Sequence, residues 1–252
     1  ATDGETGPGR YTMGRPQPTR PEPMYCNDRL VILDADGTTI DAFSAIDRTF
    51  THHGMNIGPL ARFQKRRNLF KYLGGIMEFP TNLRKQVGRT RRSRLVETLT
   101  EVYREEAALY PGIVPLLHRL TDQPDVRVGI VTRNITRDPV ETLKRLFRRQ
   151  GGDPARFDFL VHLPLRDDKL PAFRELRARF RVNPARAGAC GDEGSDYLAA
   201  VNSGMYPFMA SYGFEDHERL LRKHGVPPEV ISRTPRELTE RVLHALGLLS
   251  AG

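Results

Sequence analysis

Two aspartates one residue apart, Asp34 and Asp36 in Val31-Ile32-Leu33-Asp34-Ala35-Asp36-Gly37-Thr38-Thr39-Ile40-Asp41, follow a short and wholly apolar run. Carboxylates this close at the end of a buried strand repel one another and lose hydration, so they require a cation or a proton. A divalent metal meets that need. Gly37 lets the chain turn with backbone amides facing an anion, while the Thr38 hydroxyl and the Asp41 carboxylate can stabilise the turn and cap the next helix. The competing reading is an ordinary acidic turn after a strand. Three further segments set a polar or charged group at the end of an apolar run or the start of a helix: Thr132 ending Val128-Gly129-Ile130-Val131, Lys169 ahead of Leu170-Pro171, and Gly191-Asp192-Glu193-Gly194-Ser195-Asp196. A strand-terminal threonine or a loop lysine is, by itself, most often structural or solvated.

The elements that must position these groups are legible from periodicity. Apolar runs of strand length occur at Leu30 to Leu33, Val126 to Val131, Phe157 to Val161, Ala187 to Cys190 and Tyr206 to Ala210. Helical patterns separate most of them, at Ile113 to Leu120, Pro139 to Arg149, Pro171 to Phe180, Asp196 to Asn202 and Pro235 to Leu246, several opening on a proline. Alternating strand and helix predicts an α/β fold, a doubly wound parallel sheet of Rossmann-like type, which places ligands beyond the carboxyl ends of the strands. Between Asp41 and Pro111 the alternation stops, and helices broken at His53-Gly54, Gly58-Pro59, Gly74-Gly75 and Phe79-Pro80 predict an α-helical cap inserted after the first strand. The expected division is a disordered leader over 1–28, a core formed by 29–41 with 109–252, and a cap over 42–108.

In this order, the four segments resemble the motifs of the haloacid dehalogenase superfamily: DxDGT at Asp34 to Thr38, the strand-terminal Thr132, Lys169, and GDxxxD at Gly191 to Asp196. Tyr110-Pro111-Gly112 and Asn202-Ser203-Gly204-Met205 bring the chain nearest to phosphoglycolate-phosphatase-like members with a helical cap. The resemblance implies a Mg²⁺-dependent phosphatase acting on a small phosphate monoester. Asp34 would be the nucleophile and form an aspartyl-phosphate, and Asp36 the general acid and base. Gly37, Thr38, the Thr132 hydroxyl, the backbone amide of Arg133 and Lys169 would bind the phosphoryl group. Mg²⁺ would be held by the Asp34 carboxylate, the Asp36 carbonyl and Asp192, with Asp196 a ligand or a group behind the ligands. Two positions depart from the pattern: Leu170 stands between Lys169 and Pro171, and position 193 is Glu instead of a small hydroxyl residue. The second aspartate argues for phosphoryl transfer over dehalogenation; a phosphomutase needs the same residues.

The chain of 252 residues carries a net charge of +8. The excess sits in the cap, at Arg62, Lys65, Arg66, Arg67, Lys71, Arg84, Lys85, Arg89, Arg91, Arg92 and Arg94. A basic cap suggests a phosphorylated metabolite with a further anionic group, the alternative for each residue being a solvated helix face. Nucleic acid is a weaker partner, because Arg89 to Arg94 has no interleaved aromatics and the chain has no Trp. His52 and His53 open the cap and His162 follows a core strand; His118, His217, His224 and His244 require no function. Two cysteines without a partner at a metal or redox spacing, and no apolar stretch of membrane-helix length, favour a soluble protein in the reducing cytoplasm. Cys190 reads as a small buried hydrophobe.

Overall fold

The computed structural model describes residues 24–59 and 92–249. Six strands, β1 (Arg29–Leu33), β2 (Val126–Thr132), β3 (Phe159–His162), β4 (Ala187–Gly191), β5 (Tyr206–Ala210) and β6 (Ile231–Ser232), form one sheet in the order β3-β2-β1-β4-β5-β6. Every neighbouring pair is parallel. The central strands have no solvated face, which explains their unbroken apolar runs: Leu30 to Leu33 are all buried, as is every residue of β4.

The helices among the described residues are α1 (Ala42–His52), α2 (Arg92–Glu105), α3 (Ile113–Thr121), α4 (Pro139–Arg149), α5 (Leu170–Arg179), α6 (Gly194–Asn202), α7 (His217–His224) and α8 (Pro235–Ala245). The α/β doubly wound core is as expected from the alternation, with most boundaries within two residues. Two elements went unread. Helix α7 buries only Leu220 and so shows no apolar stripe, and β6 is two residues long.

Register places the chemistry. Leu33 is paired with Ile130 on one side and Cys190 on the other, so the residues that follow β1, β2 and β4 emerge side by side at the carboxyl edge. Cys190 is buried in the core beside them. Helices α1 and α2 bury Ile46, Phe50, Leu95, Leu99 and Tyr103 in the same apolar cluster as β1, so these two helices rest on the core. The remainder of the expected cap, residues 60–91, lies outside the described residues, and with it the basic positions Arg62 to Arg91. Composition assigned all of 1–28 to the leader, yet its last residues are attached to the core: the Cys26 amide donates to Arg181 O at 2.9 Å and Asp28 pairs with Arg127 at 2.8 Å. Among the described residues no helix is long and apolar enough to cross a membrane.

Candidate active site

Asp34 continues β1, its amide donating to Cys190 O at 3.0 Å. Its Oδ1 accepts from the Ala35 amide at 2.8 Å, and its Oδ2 lies 2.9 Å from Lys169 Nζ. The lysine stands at the N-cap of α5, which starts at Leu170 with Pro171 in its first turn, so the inserted leucine leaves the lysine at the mouth of the helix. Lys169 is only 3% exposed and bridges to Asp196 Oδ1 at 2.8 Å. The other oxygen of Asp196 accepts from the Glu193 amide at 3.1 Å. Both Asp196 oxygens therefore already face donors, an arrangement that suits a group behind the ligands that aims Lys169.

Asp36 is held by two residues that no motif named. Tyr103 of α2 donates its hydroxyl to Oδ1 at 2.7 Å, and Asn134 Nδ2 lies 3.1 Å from Oδ1 and 2.9 Å from Oδ2. The Asn134 amide cannot turn round without loss, because its oxygen accepts from the Thr136 amide at 2.9 Å and from the Thr136 hydroxyl. Tyr103 shares an apolar face with Leu95, Leu99 and Val102 and so reads as core; its hydroxyl partner lies 67 residues away and left no local signal. Thr132 ends β2 with its hydroxyl oxygen accepting from the Asn134 amide at 3.1 Å, which leaves its own proton for another acceptor. His162 does reach this edge: its Nε2 meets Asn134 O at 3.0 Å and steadies that loop.

Asp192 follows β4 and is fully buried. Its Oδ2 accepts from the Phe214 amide at 2.6 Å, whereas among the described residues Oδ1 has the Thr38 hydroxyl at 3.4 Å. The turn after β1 thus differs from its expected construction. Thr39, not Thr38, ties it, with its hydroxyl directed at Asp34 O and Ala35 O, and Thr38 faces Asp192. The Gly37 amide donates to Ile40 O at 3.0 Å instead of facing an anion. Gly37 serves close approach: its φ is +79° and a Cβ there would fall 2.1 Å from Asp192 Oδ2. Asp41 caps α1 as expected, accepting from the Ser44 amide at 3.0 Å.

The pocket over these groups is lined by Asp34, Asp36, Thr132, Arg133, Leu165, Asp192, Glu193 and Phe214. Arg133 belongs to this lining. Its Nη2 pairs with Glu193 Oε2 at 2.8 Å and reaches Ser195 Oγ at 3.1 Å, so the carboxylate at position 193 anchors this arginine. Two larger cavities, of about 400 and 380 Å³, both bordered by Tyr206 and Phe208, are lined by none of these residues.

Among the described residues, four buried carboxylates, Asp34, Asp36, Asp192 and Asp196, confront one buried ammonium, that of Lys169. Burial pushes the Asp34 carboxyl up to about 7, against the pull of Lys169. Burial likewise raises Asp36, opposed by the Tyr103 and Asn134 hydrogen bonds. Burial and then the Asp34 charge raise Asp192 well above the ordinary carboxylate range. Burial works against the charges of Lys169 and Asp196 too, yet each holds the other ionised: the ammonium is raised and the carboxyl lowered.

A hard divalent cation fits this deficit. Carboxylate oxygens of Asp34, Asp192 and Asp196 lie within 4.8 Å of one another, and the Asp192 Oδ1 contact among the described residues is the Thr38 hydroxyl at 3.4 Å. A pH signature follows. Groups whose carboxyls are raised on folding contribute stability at low pH that is lost as pH rises from the ordinary 3.8 through about 7. The metal-free protein should therefore melt at a lower temperature at pH 8 than at pH 5, and added Mg²⁺ should raise melting more at pH 8. Asp196, being depressed, acts below that window. A metal-free melting temperature independent of pH over this range would contradict the electrostatic reading.

Comparison with solved structures gives the fold its name. A protein assigned as a phosphoglycolate phosphatase from Lactobacillus delbrueckii subsp. bulgaricus is 22% identical over 86% of this chain and 99% of its own, with a TM-score of 0.58. A haloacid dehalogenase-like hydrolase from Streptococcus pneumoniae gives 20%, 86%, 99% and 0.55. The chain has the haloacid dehalogenase-like fold. A protein assigned as a β-phosphoglucomutase from Thermotoga maritima shares it, at 19% identity over 86% of this chain and 99% of its own, with a TM-score of 0.58. No family model matches the sequence, and no curated protein matches it significantly. Within this haloacid dehalogenase-like fold, Asp34, Asp36, Thr132, Lys169, Asp192 and Asp196, read from four separate segments, all stand at one end of the sheet.

Proposed function

We propose that the chain is a Mg²⁺-dependent phosphatase that hydrolyses small phosphate monoesters through an aspartyl-phosphate on Asp34. The observation that carries this reading is the pair of unlike carboxyls in one pocket: Asp34, fixed by Lys169 at 2.9 Å, and Asp36, raised by burial and fixed by Tyr103 and Asn134. One is placed to attack and the other to carry a proton.

In the first step an Asp34 oxygen forms a bond to phosphorus as the bond to the ester oxygen breaks, and Asp36 gives its proton to that departing oxygen. In the second, water attacks the same phosphorus, Asp36 takes its proton, and the bond to Asp34 breaks to release phosphate. Lys169, the Thr132 hydroxyl and Arg133 would offset charge on the phosphoryl oxygens. Asp34, Asp192 and the backbone carbonyl of Asp36 would hold Mg²⁺, with Asp196 kept for Lys169. When bound, the ion neutralises phosphate charge so that one anion can approach another.

A dehalogenase needs no acid for its leaving group, so the two residues that hold Asp36 favour phosphoryl transfer. The basic residues of the cap assigned to 42–108 would favour a substrate with a further anionic group. Of these, Arg92 and Arg94 are described, both exposed at the start of α2. The free thiols of Cys26 and Cys190 accord with a cytoplasmic setting.

Purified full-length protein with Mg²⁺ should release inorganic phosphate from an aryl phosphate, and EDTA should stop it. A panel of sugar phosphates, phosphoglycolate and nucleotides would then identify the alcohol, and an isomerised sugar phosphate without net phosphate release would show a mutase. No turnover of any of these with Mg²⁺ would overturn the proposal.

A further inference from the structure

Glu215 has no exposed surface, lies outside the pocket lining, and was not singled out by any sequence motif. Its Oε2 accepts from the Gly194 amide at 2.6 Å, the first residue of α6, and its Oε1 accepts from Arg219 Nε and His224 Nε2, both at 3.0 Å. Arg219 and His224 belong to α7, the polar helix whose pattern left no trace in the sequence. The residue before, Phe214, donates its amide to Asp192 Oδ2 at 2.6 Å. Consecutive residues therefore grip the same loop at two points, one at the Asp192 carboxylate and one at the backbone two residues on.

The fit around this grip is close. A Cβ at Gly213 would fall 2.3 Å from Gly37 O and 2.4 Å from Asp192 Oδ2, and one at Gly194 would fall 2.3 Å from the His224 ring. The segment 213–215 is thus wedged between the loop after β1 and the loop after β4. Burying a carboxylate at Glu215 is costly without partners, and α7 supplies two cationic or hydrogen-bonding groups where one neutral acceptor would have sufficed to cap α6.

We infer that Glu215, aimed by Arg219 and His224, is a positioning residue that fixes the Gly191 to Asp196 loop so that Asp192 presents its oxygen to a divalent cation. The inference rests on the Mg²⁺ site of the proposed phosphatase. It makes α7, none of whose residues lines the pocket, a determinant of metal affinity. Charged partners behind ligands commonly change metal affinity by about 10- to 100-fold.

The test is calorimetric titration of Mg²⁺ into the full chain, with circular dichroism and metal-free melting recorded for each variant. Glu215→Ala should bind Mg²⁺ about 10- to 100-fold more weakly. Glu215→Gln, which keeps an acceptor for the Gly194 amide, should recover much of that loss. His224→Ala, at a partly exposed position, should weaken binding by roughly threefold or more, in keeping with removal of one aiming group. Arg222→Ala, on the same helix but exposed, should bind as wild type. In the phosphatase assay the Mg²⁺ concentration for half-maximal rate should rise in parallel, with the KM for aryl phosphate little changed. Glu215→Ala and His224→Ala both within twofold of wild type would overturn the inference, and His224→Ala alone would do so should Glu215→Ala not fold. Wild type that fails to bind Mg²⁺ would instead sink the phosphatase reading on which it rests.

Discussion

Asp34→Asn should lower phosphate release from an aryl phosphate by about 10⁴-fold or more, since loss of a nucleophile removes a unit on which the other groups act. The amide retains an oxygen for the Ala35 amide, so the turn after β1 should persist, but it brings no negative charge to attack phosphorus. Its effect on folding is mixed: a neutral side chain at position 34 removes one of four carboxylates buried at this site, but the amide NH₂ then faces Lys169 Nζ where Asp34 Oδ2 lay at 2.9 Å. The metal-free stability of the variant should therefore vary less between pH 5 and pH 8 than that of wild type, and the variant should gain less from Mg²⁺. Phosphate release and melting measured on one preparation separate these effects. Turnover equal to wild type would remove Asp34 from its role, whatever the stability.

Lys169→Met should have the largest effect on stability. The ammonium lies 2.9 Å from Asp34 and 2.8 Å from Asp196, all three almost without solvent. Removing the shared cation leaves two buried carboxylates uncompensated, a change that costs about 3–5 kcal/mol. For a domain of this size, that corresponds to a fall in melting temperature of roughly 6–20 °C. The loss should be larger at pH 8 than at pH 5, because at lower pH the carboxyls can take up protons. Activity should also be lost, since Asp34 and the phosphoryl group would have no nearby ammonium. Half-buried Lys144, paired with exposed Glu141 at 2.8 Å on α4, is the control, and its replacement should leave melting nearly unchanged. A Lys169→Met protein as stable as wild type at pH 8 would show that the carboxylates are balanced by another cation.

The two predictions draw on residues visible in the sequence, whereas their settings were not. Asp34 could be marked because an apolar run ending in two carboxylates is locally costly and so conspicuous. Tyr103 and Asn134, which hold Asp36, were not marked: one sits on the apolar face of a helix and the other looks like an ordinary loop amide. Glu193 and Gly37 were marked, but not for what they do: Glu193 anchors Arg133 at 2.8 Å, and the missing side chain of Gly37 makes room for Asp192. In each case the decisive partner lies tens of residues away or more.

By itself the sequence determined what is local and repetitive: buried parallel strands from unbroken apolar runs, helices from their stripes and prolines, and four polar interruptions at strand or helix ends. Strand order and register are non-local, and they alone decided that β1, β2 and β4 end side by side so that three of those interruptions line one pocket, with Lys169 against Asp34. Which hydroxyl holds which carboxylate, and whether Asp196 faces a metal or Lys169, depends on packing distances of a few tenths of an ångström. Hydrogen bonds and ion pairs act over such short ranges that only the folded chain, not the spacing of its letters, selects among their partners.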